Sequence, residues 1–212
     1  MVIQKQAIFI FLSLLLVFLC TTWSIISQDG MFYTHDFVHG ARIVEMQRAV
    51  LAGHIPARWS QNFNYGYGMP LFSFYAPLPY LVGALCTLLG ASLTTAVKAL
   101  FIIPSLVTLL GSYLLGRRLF GAAGGVLTAA FITLAPYRAV NLFVRGAVAE
   151  SWGMMTIPWL LYGLLRIYDN TKDGIGYVIF ATSFITLLLS HNLMSLMVIV
   201  FAPVMLLALL TP

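Results

Sequence analysis

The sequence predicts an all-α integral membrane protein, with about six transmembrane helices and interfacial helices in a long outer loop after the first. Three observations lead there. Of 212 residues, 61% are apolar and only 8% are charged, and the mean hydropathy is +0.96. A soluble domain is typically about 45–50% apolar and about 25% charged. Apolar runs near the roughly 17–25 residues that a spanning helix needs recur along the chain. The charged residues gather between those runs. A water-soluble fold of this size cannot hide so much apolar surface, which excludes a soluble enzyme, a nucleic-acid binder and a disordered tail. The net charge of +5 is therefore read by membrane side and not as a nucleic-acid footprint.

The first run, 7–26, follows Lys5 and has no small-residue cleavage site after it. It reads as an uncleaved span with its N-terminus in the cytoplasm. Further spans are expected at about 95–116, 122–137, 152–168, 175–190 and 193–210. The whole of 1–212 reads as one multi-span membrane domain, with 27–94 forming the outer loop and juxtamembrane helices. The chain closes on Thr211-Pro212 straight after the last run, as expected of the N-terminal part of a longer protein. Cys20 and Cys86 both sit in apolar runs and suggest neither a disulfide nor a metal site.

Within the outer loop, Asp36 to Leu51 reads as a helix, with Thr34 as N-cap and Gly53 and Pro56 as stop signals. Tyr65-Gly66-Tyr67-Gly68-Met69-Pro70 is turn chemistry fringed by aromatics, the composition of a membrane–water interface. Residues 74–90 decide the topology, because Pro77 and Pro79 interrupt their start. If they cross, Arg117 and Arg118 face outside. If they lie in the interface or dip and return, those arginines join Lys5 and the 166–172 region on the inside. Loops 27–73 and 138–151 then share the outer face, which the positive-inside tendency favours.

Two polar clusters could carry chemistry. Asp36, His39 and Arg42 recur at three-residue spacing, along one slanting stripe of a helix. A carboxylate there suits a general base or a metal ligand; equally, it caps its helix and pairs with Arg42. His35 and His39 as a zinc pair lack an accompanying thiolate. The second cluster is Arg138, Asn141, Arg145 and Glu150. Its arginines suit an anionic headgroup, or else snorkel from a helix end, and Glu150 either binds a metal or pairs with Arg145. His191-Asn192 lies between two apolar runs, as a functional polar site or a plain turn. Gly121 and Gly125, with Gly124 beside them, have the spacing of close helix packing. No phosphate-binding loop, nucleophile elbow, zinc-protease or dinucleotide motif is present.

The order of these parts resembles the GT-C class of membrane glycosyltransferases, which use lipid-linked sugars. There, the first span is followed by an outer loop that opens on a catalytic Asp, and a later outer loop carries a second acid. Tyr33-Thr34-His35-Asp36 with His39 and Arg42 takes the first position, Leu51 to Trp59 looks like the continuation, and Arg145 to Glu150 matches the second acid. Asp36 stands between His35 and Phe37, where many members of the class have paired acids. Two stretches, Tyr65 to Leu78 and Arg145 to Glu150, are more closely similar to prokaryotic membrane proteins labelled "6-pyruvoyl-tetrahydropterin synthase-related". Nothing here resembles the soluble pterin enzyme or its zinc-binding histidines.

The resemblance implies hexosyl or pentosyl transfer from a polyprenyl-phosphate donor to a glycan, lipid or protein acceptor on the outer face. Asp36 would be the general base. His39, Arg42, Arg138, Arg145 and His191 would bind substrate, and Glu150 would hold a divalent cation, magnesium or manganese. The alternative is a non-catalytic lipid-binding, transport or cell-envelope assembly subunit that uses the same pocket. Ionisable groups at span ends, with only Lys98 ambiguous, favour a site at the membrane surface over a transporter's mid-membrane site.

Overall fold

The computed structural model describes residues 2–210, so the chain end at Thr211-Pro212 lies outside it. Among these residues the elements are all helical. They are α1 (Val2–Ser27), α2 (His39–Leu51), α3 (Leu71–Phe74), α4 (Pro77–Leu88), α5 (Leu93–Thr133), α6 (Pro136–Ala139), a π-helical segment Val140–Arg145, α7 (Val148–Met154), α8 (Thr156–Asp169), α9 (Gly174–Ser190) and α10 (Asn192–Leu210).

Two of them, Gln4–Ser27 within α1 and the whole of α5, are long and apolar enough to cross a membrane. The apolar helices α4 and α9 and the Asn192–Phe201 part of α10 are shorter. Helix length and composition thus support two crossings and not the expected six. Large apolar side chains nevertheless face outward along α1 (Phe9, Phe11, Leu16), α5 (Leu127, Phe131), α9 (Ile175, Val178) and α10 (Leu193, Leu196, Val200). Such a surface is stable against lipid and not against water.

α5 is a hairpin. Gly121 breaks it with φ 73° and ψ −173°, a conformation essentially reserved for glycine, and no atom lies near where its Cβ would be. Its limbs then pack closely. A Cβ on Gly116 would meet Thr128 Oγ1 at 2.3 Å, and one on Gly125 would meet Tyr113 O at 2.9 Å. The expectation of close packing at Gly121 and Gly125 is corrected in part: Gly121 makes the turn, while Gly125 packs against Tyr113 and Gly116 against Gly124 and Thr128.

At the turn end of α5, Arg118 forms an ion pair with Asp169, and Arg166 pairs with Asp173 at 2.6 Å. At the opposite end, Lys98 donates to Gln28 O just beyond α1. The main core fills this second end, where Ile25, Ile43, Tyr80, Leu100, Phe101 and Trp152 pack together. α4 has 12 residues, or about 18 Å, well short of the roughly 30 Å hydrocarbon layer.

The loop between α1 and α3 is ordered by a buried acid. Glu45 on α2 accepts hydrogen bonds from Ser60 Oγ (2.8 Å), Asn62 N (3.0 Å), Asn62 Nδ2 (2.6 Å) and Arg48 Nη1 (2.8 Å). A backbone bridge between Ser60 and Met69 closes the aromatic turn, in which Asn64, Tyr65, Gly66 and Gly68 all take positive φ. α2 starts at His39, not at Asp36 as the sequence suggests. Thr34 does not cap it; the Thr34 hydroxyl donates to Asp36 O. The reason is non-local. His35 N–H donates to Val144 O and Asp36 N–H to Arg145 O, both at 2.9 Å, which holds residues 35–36 outside the helix.

Candidate functional site

Loops 27–73 and 138–151 meet through that backbone pairing, and the junction is clamped from below. The π-helical segment ends at Gly146, whose left-handed φ of 66° reverses the chain. His39 Nε2 donates to Gly146 O at 2.8 Å, so its Nδ1, 3.0 Å from Tyr80 Oη, accepts the tyrosine proton. Burial pushes the His39 pKa below its ordinary value, against the pull of Asp36, in keeping with a neutral ring. Arg42 Nη1 donates to Asp36 Oδ2 (2.9 Å) and to Tyr80 Oη (3.0 Å), with its guanidinium 4.4 Å from the centre of the Tyr75 ring. His39 and Arg42 therefore position Asp36. The Oδ1 atom of Asp36 has no hydrogen-bond partner among the described residues.

On the neighbouring wall, Arg145 Nη1 donates to Glu150 Oε2 (2.7 Å) and Asn141 Oδ1 (2.6 Å), and Tyr137 Oη donates to Glu150 Oε1. Burial works to raise the Glu150 pKa, but hydrogen bonds from Tyr137 and Arg145 outweigh it and hold the carboxyl below the usual range. The third wall is the break between α9 and α10. There His191 Nδ1 accepts from Met194 N–H at 3.1 Å, and burial lowers the imidazole pKa. Asn192 Nδ2 donates to Phe74 O at 3.1 Å.

These walls enclose an open pocket of about 400 Å³, lined by Asp36, Arg145, Glu150, Ser190 and His191, with His35 at its edge. Of the residues singled out in the sequence, Asp36, Arg145, Glu150 and His191 come together in it. His39 and Arg42 lie behind Asp36. Arg138 does not join them: it is 2% exposed and turns into the bundle, donating to Thr108 Oγ1 at 3.0 Å. The cause is the short second limb of α5, which brings Arg138 alongside Ser105 and Thr108 on the first limb. Among the described residues no three His, Cys, Asp or Glu side chains converge as a metal site. A magnesium or manganese ion at Glu150 would have to displace Tyr137 or Arg145.

Sequence reasoning missed Tyr80, Gly146 and Ser190. A tyrosine and two prolines in the 74–90 run were the signal for the first. For Ser190, the signal was its place beside His191-Asn192.

A family model described as "6-pyruvoyl-tetrahydropterin synthase related domain; membrane protein" matches residues 72–211. The chain belongs to this family. No curated protein and no solved structure matches it. In this PTPS-related membrane protein the matched region supplies Arg145, Glu150, Ser190 and His191 to the pocket, and the preceding residues supply His35 and Asp36.

Proposed function

We propose that the protein is a multi-pass membrane glycosyltransferase of GT-C type. It moves a sugar from a polyprenyl-phosphate donor to a hydroxyl-bearing glycan, lipid or protein acceptor at the outer face of a prokaryotic cell membrane. The carrying observation is that Asp36 and Arg145, 109 positions apart in the sequence numbering, line one open pocket beside apolar helices. Asp36 Oδ1 takes the proton of the acceptor hydroxyl as its oxygen attacks the anomeric carbon. The bond from that carbon to the phosphate oxygen breaks, and the phosphate leaves with the electron pair. Arg145 faces the charge that develops on it. The prenyl chain lies along the outward face of α10, where Leu193, Leu196, Met197 and Val200 recur at helical spacing. In this reading about six crossings are made by α1, the first limb of α5, its second limb continued by α6, α7 continued by α8, α9 and α10.

The test is transfer by the purified protein in nanodiscs, using radiolabelled polyprenyl-phosphate sugars. Asp36→Asn keeps an acceptor for Arg42 and removes the base, so a loss of about 10² or more in rate is expected. An unchanged rate sinks the proposal. It would favour the second reading, a lipid-binding assembly subunit, which the pairing of both pocket carboxylates with arginines supports.

A further inference from the structure

The α9–α10 break has features that neither base catalysis nor the arginine explains. α10 is 19 residues long and begins inside the pocket, with Asn192 and Leu193 on the lining. Of its first amides, Met194 N–H donates to His191 Nδ1 and Ser195 N–H to His191 O. The N–H groups of Asn192 and Leu193 have no acceptor among the described residues. A helix start of this kind carries about half a positive charge and attracts anions. Ser190 supplies the independent observation. It lines the same pocket and is 0% exposed, yet its hydroxyl has no hydrogen-bond partner among the described residues. A buried, unsatisfied hydroxyl is costly unless something meets it. Because His191 Nδ1 is an acceptor, the neutral ring carries its proton on Nε2, as one more donor.

These donors form a set: two backbone amides, one hydroxyl and one imidazole N–H, with the Arg145 side chain on the adjoining wall. The two carboxylates that share the pocket, Asp36 and Glu150, are matched by Arg42 and Arg145. We infer that the Ser190-His191-Asn192-Leu193 break is a subsite for a phosphate ester. This deepens the proposed function, since it rests on that reading for the phosphate's role as leaving group. The binding claim itself stands on the donors alone.

The test measures binding to the full chain in nanodiscs, with farnesyl phosphate, farnesol and inorganic phosphate as probes. Farnesyl phosphate binds the wild type more tightly than farnesol does. Ser190→Ala weakens farnesyl phosphate about tenfold, the loss of one charge-assisted hydrogen bond. Ser190→Asp puts a carboxylate where the phosphate sits and abolishes the difference between the two prenyl probes. Ser190→Ala is the smaller change and keeps the test decisive if the Asp variant does not fold. Displacement of farnesyl phosphate by inorganic phosphate identifies a site for the anion from either source. Lack of displacement with intact sensitivity to Ser190→Ala identifies a lipid-linked phosphate. Equal affinity for farnesol and farnesyl phosphate, or unchanged affinity in both Ser190 variants, overturns the inference. Asp36→Asn separates the two claims, because it should abolish transfer while binding farnesyl phosphate at least as tightly as the wild type.

Discussion

Glu45 gives a prediction that does not depend on knowing the substrate. Its carboxylate is 4% exposed and accepts four hydrogen bonds, three of them from Ser60 and Asn62 in the loop that follows α2. Burial pushes its pKa up, but the bonds from Asn62, Ser60 and Arg48 outweigh it and lower the value from 4.5 to about 2. That drop corresponds to roughly 3 kcal/mol of stabilisation at neutral pH. The folded value is the depressed one, so the stabilisation is complete above about pH 5 and is lost as the pH falls through 4.5 toward 2. Glu45→Gln removes the charge at every pH and turns an amide donor toward Asn62 Nδ2. The Asn62 amide, which donates to Glu45 Oε2 at 3.0 Å, reports the effect by hydrogen exchange. It should exchange about 10²-fold faster in the variant than in the wild type at pH 7, and only about tenfold faster at pH 3. Comparison at each pH cancels the intrinsic exchange rate. A ratio near one at pH 7, or a large ratio that does not change with pH, would refute the account.

Two further substitutions test how the site is held and what lies outside it. Gly146→Ala forces a left-handed residue to carry a Cβ 2.4 Å from Thr34 Oγ1 and 2.9 Å from Asp36 O, so a loss of about 2 kcal/mol or more and a lower melting temperature are expected. A wild-type melting temperature would contradict the clamp. Arg138→Met replaces a buried guanidinium that has no carboxylate partner and an unpaired Nε, and should be neutral or stabilising by about 1–4 kcal/mol with binding of farnesyl phosphate retained. Loss of that binding would place Arg138 back in the site.

The helical class was legible because long apolar runs have one physical solution in lipid, where each backbone group must be satisfied within its own helix. Break positions were less legible. Gly121 and Gly125 look alike in sequence, yet one needs a backbone conformation only glycine tolerates and the other needs room for a neighbouring helix. The start of α2 was misplaced because Asp36 is drawn from the helix by Arg145, across a separation that no local pattern encodes. Arg138 and Arg145 are likewise indistinguishable by type and spacing. The short second limb of α5 brings Arg138 into the bundle, and Arg145 ends the π-helical segment that follows and lines the pocket.

The same scarcity of charge that marks the chain as a membrane protein separates the roles of its two pocket acids. There are six acidic residues, and five of them, all but Asp29, form ion pairs with arginine, so pairing alone does not identify a base. What differs is the unused acceptor capacity. Glu45 and Glu150 have both oxygens engaged, the first by Arg48 and Ser60 and the second by Tyr137 with Arg145. Asp36 lines the pocket with no partner on Oδ1 among the described residues, while Arg42 holds Oδ2 and the backbone of Arg145 holds its main chain. A carboxylate fixed at one oxygen and open at the other can receive a proton without first breaking a bond that positions it. Glu150 cannot do so while its neighbours remain in place. The base role proposed for Asp36 rests on that difference.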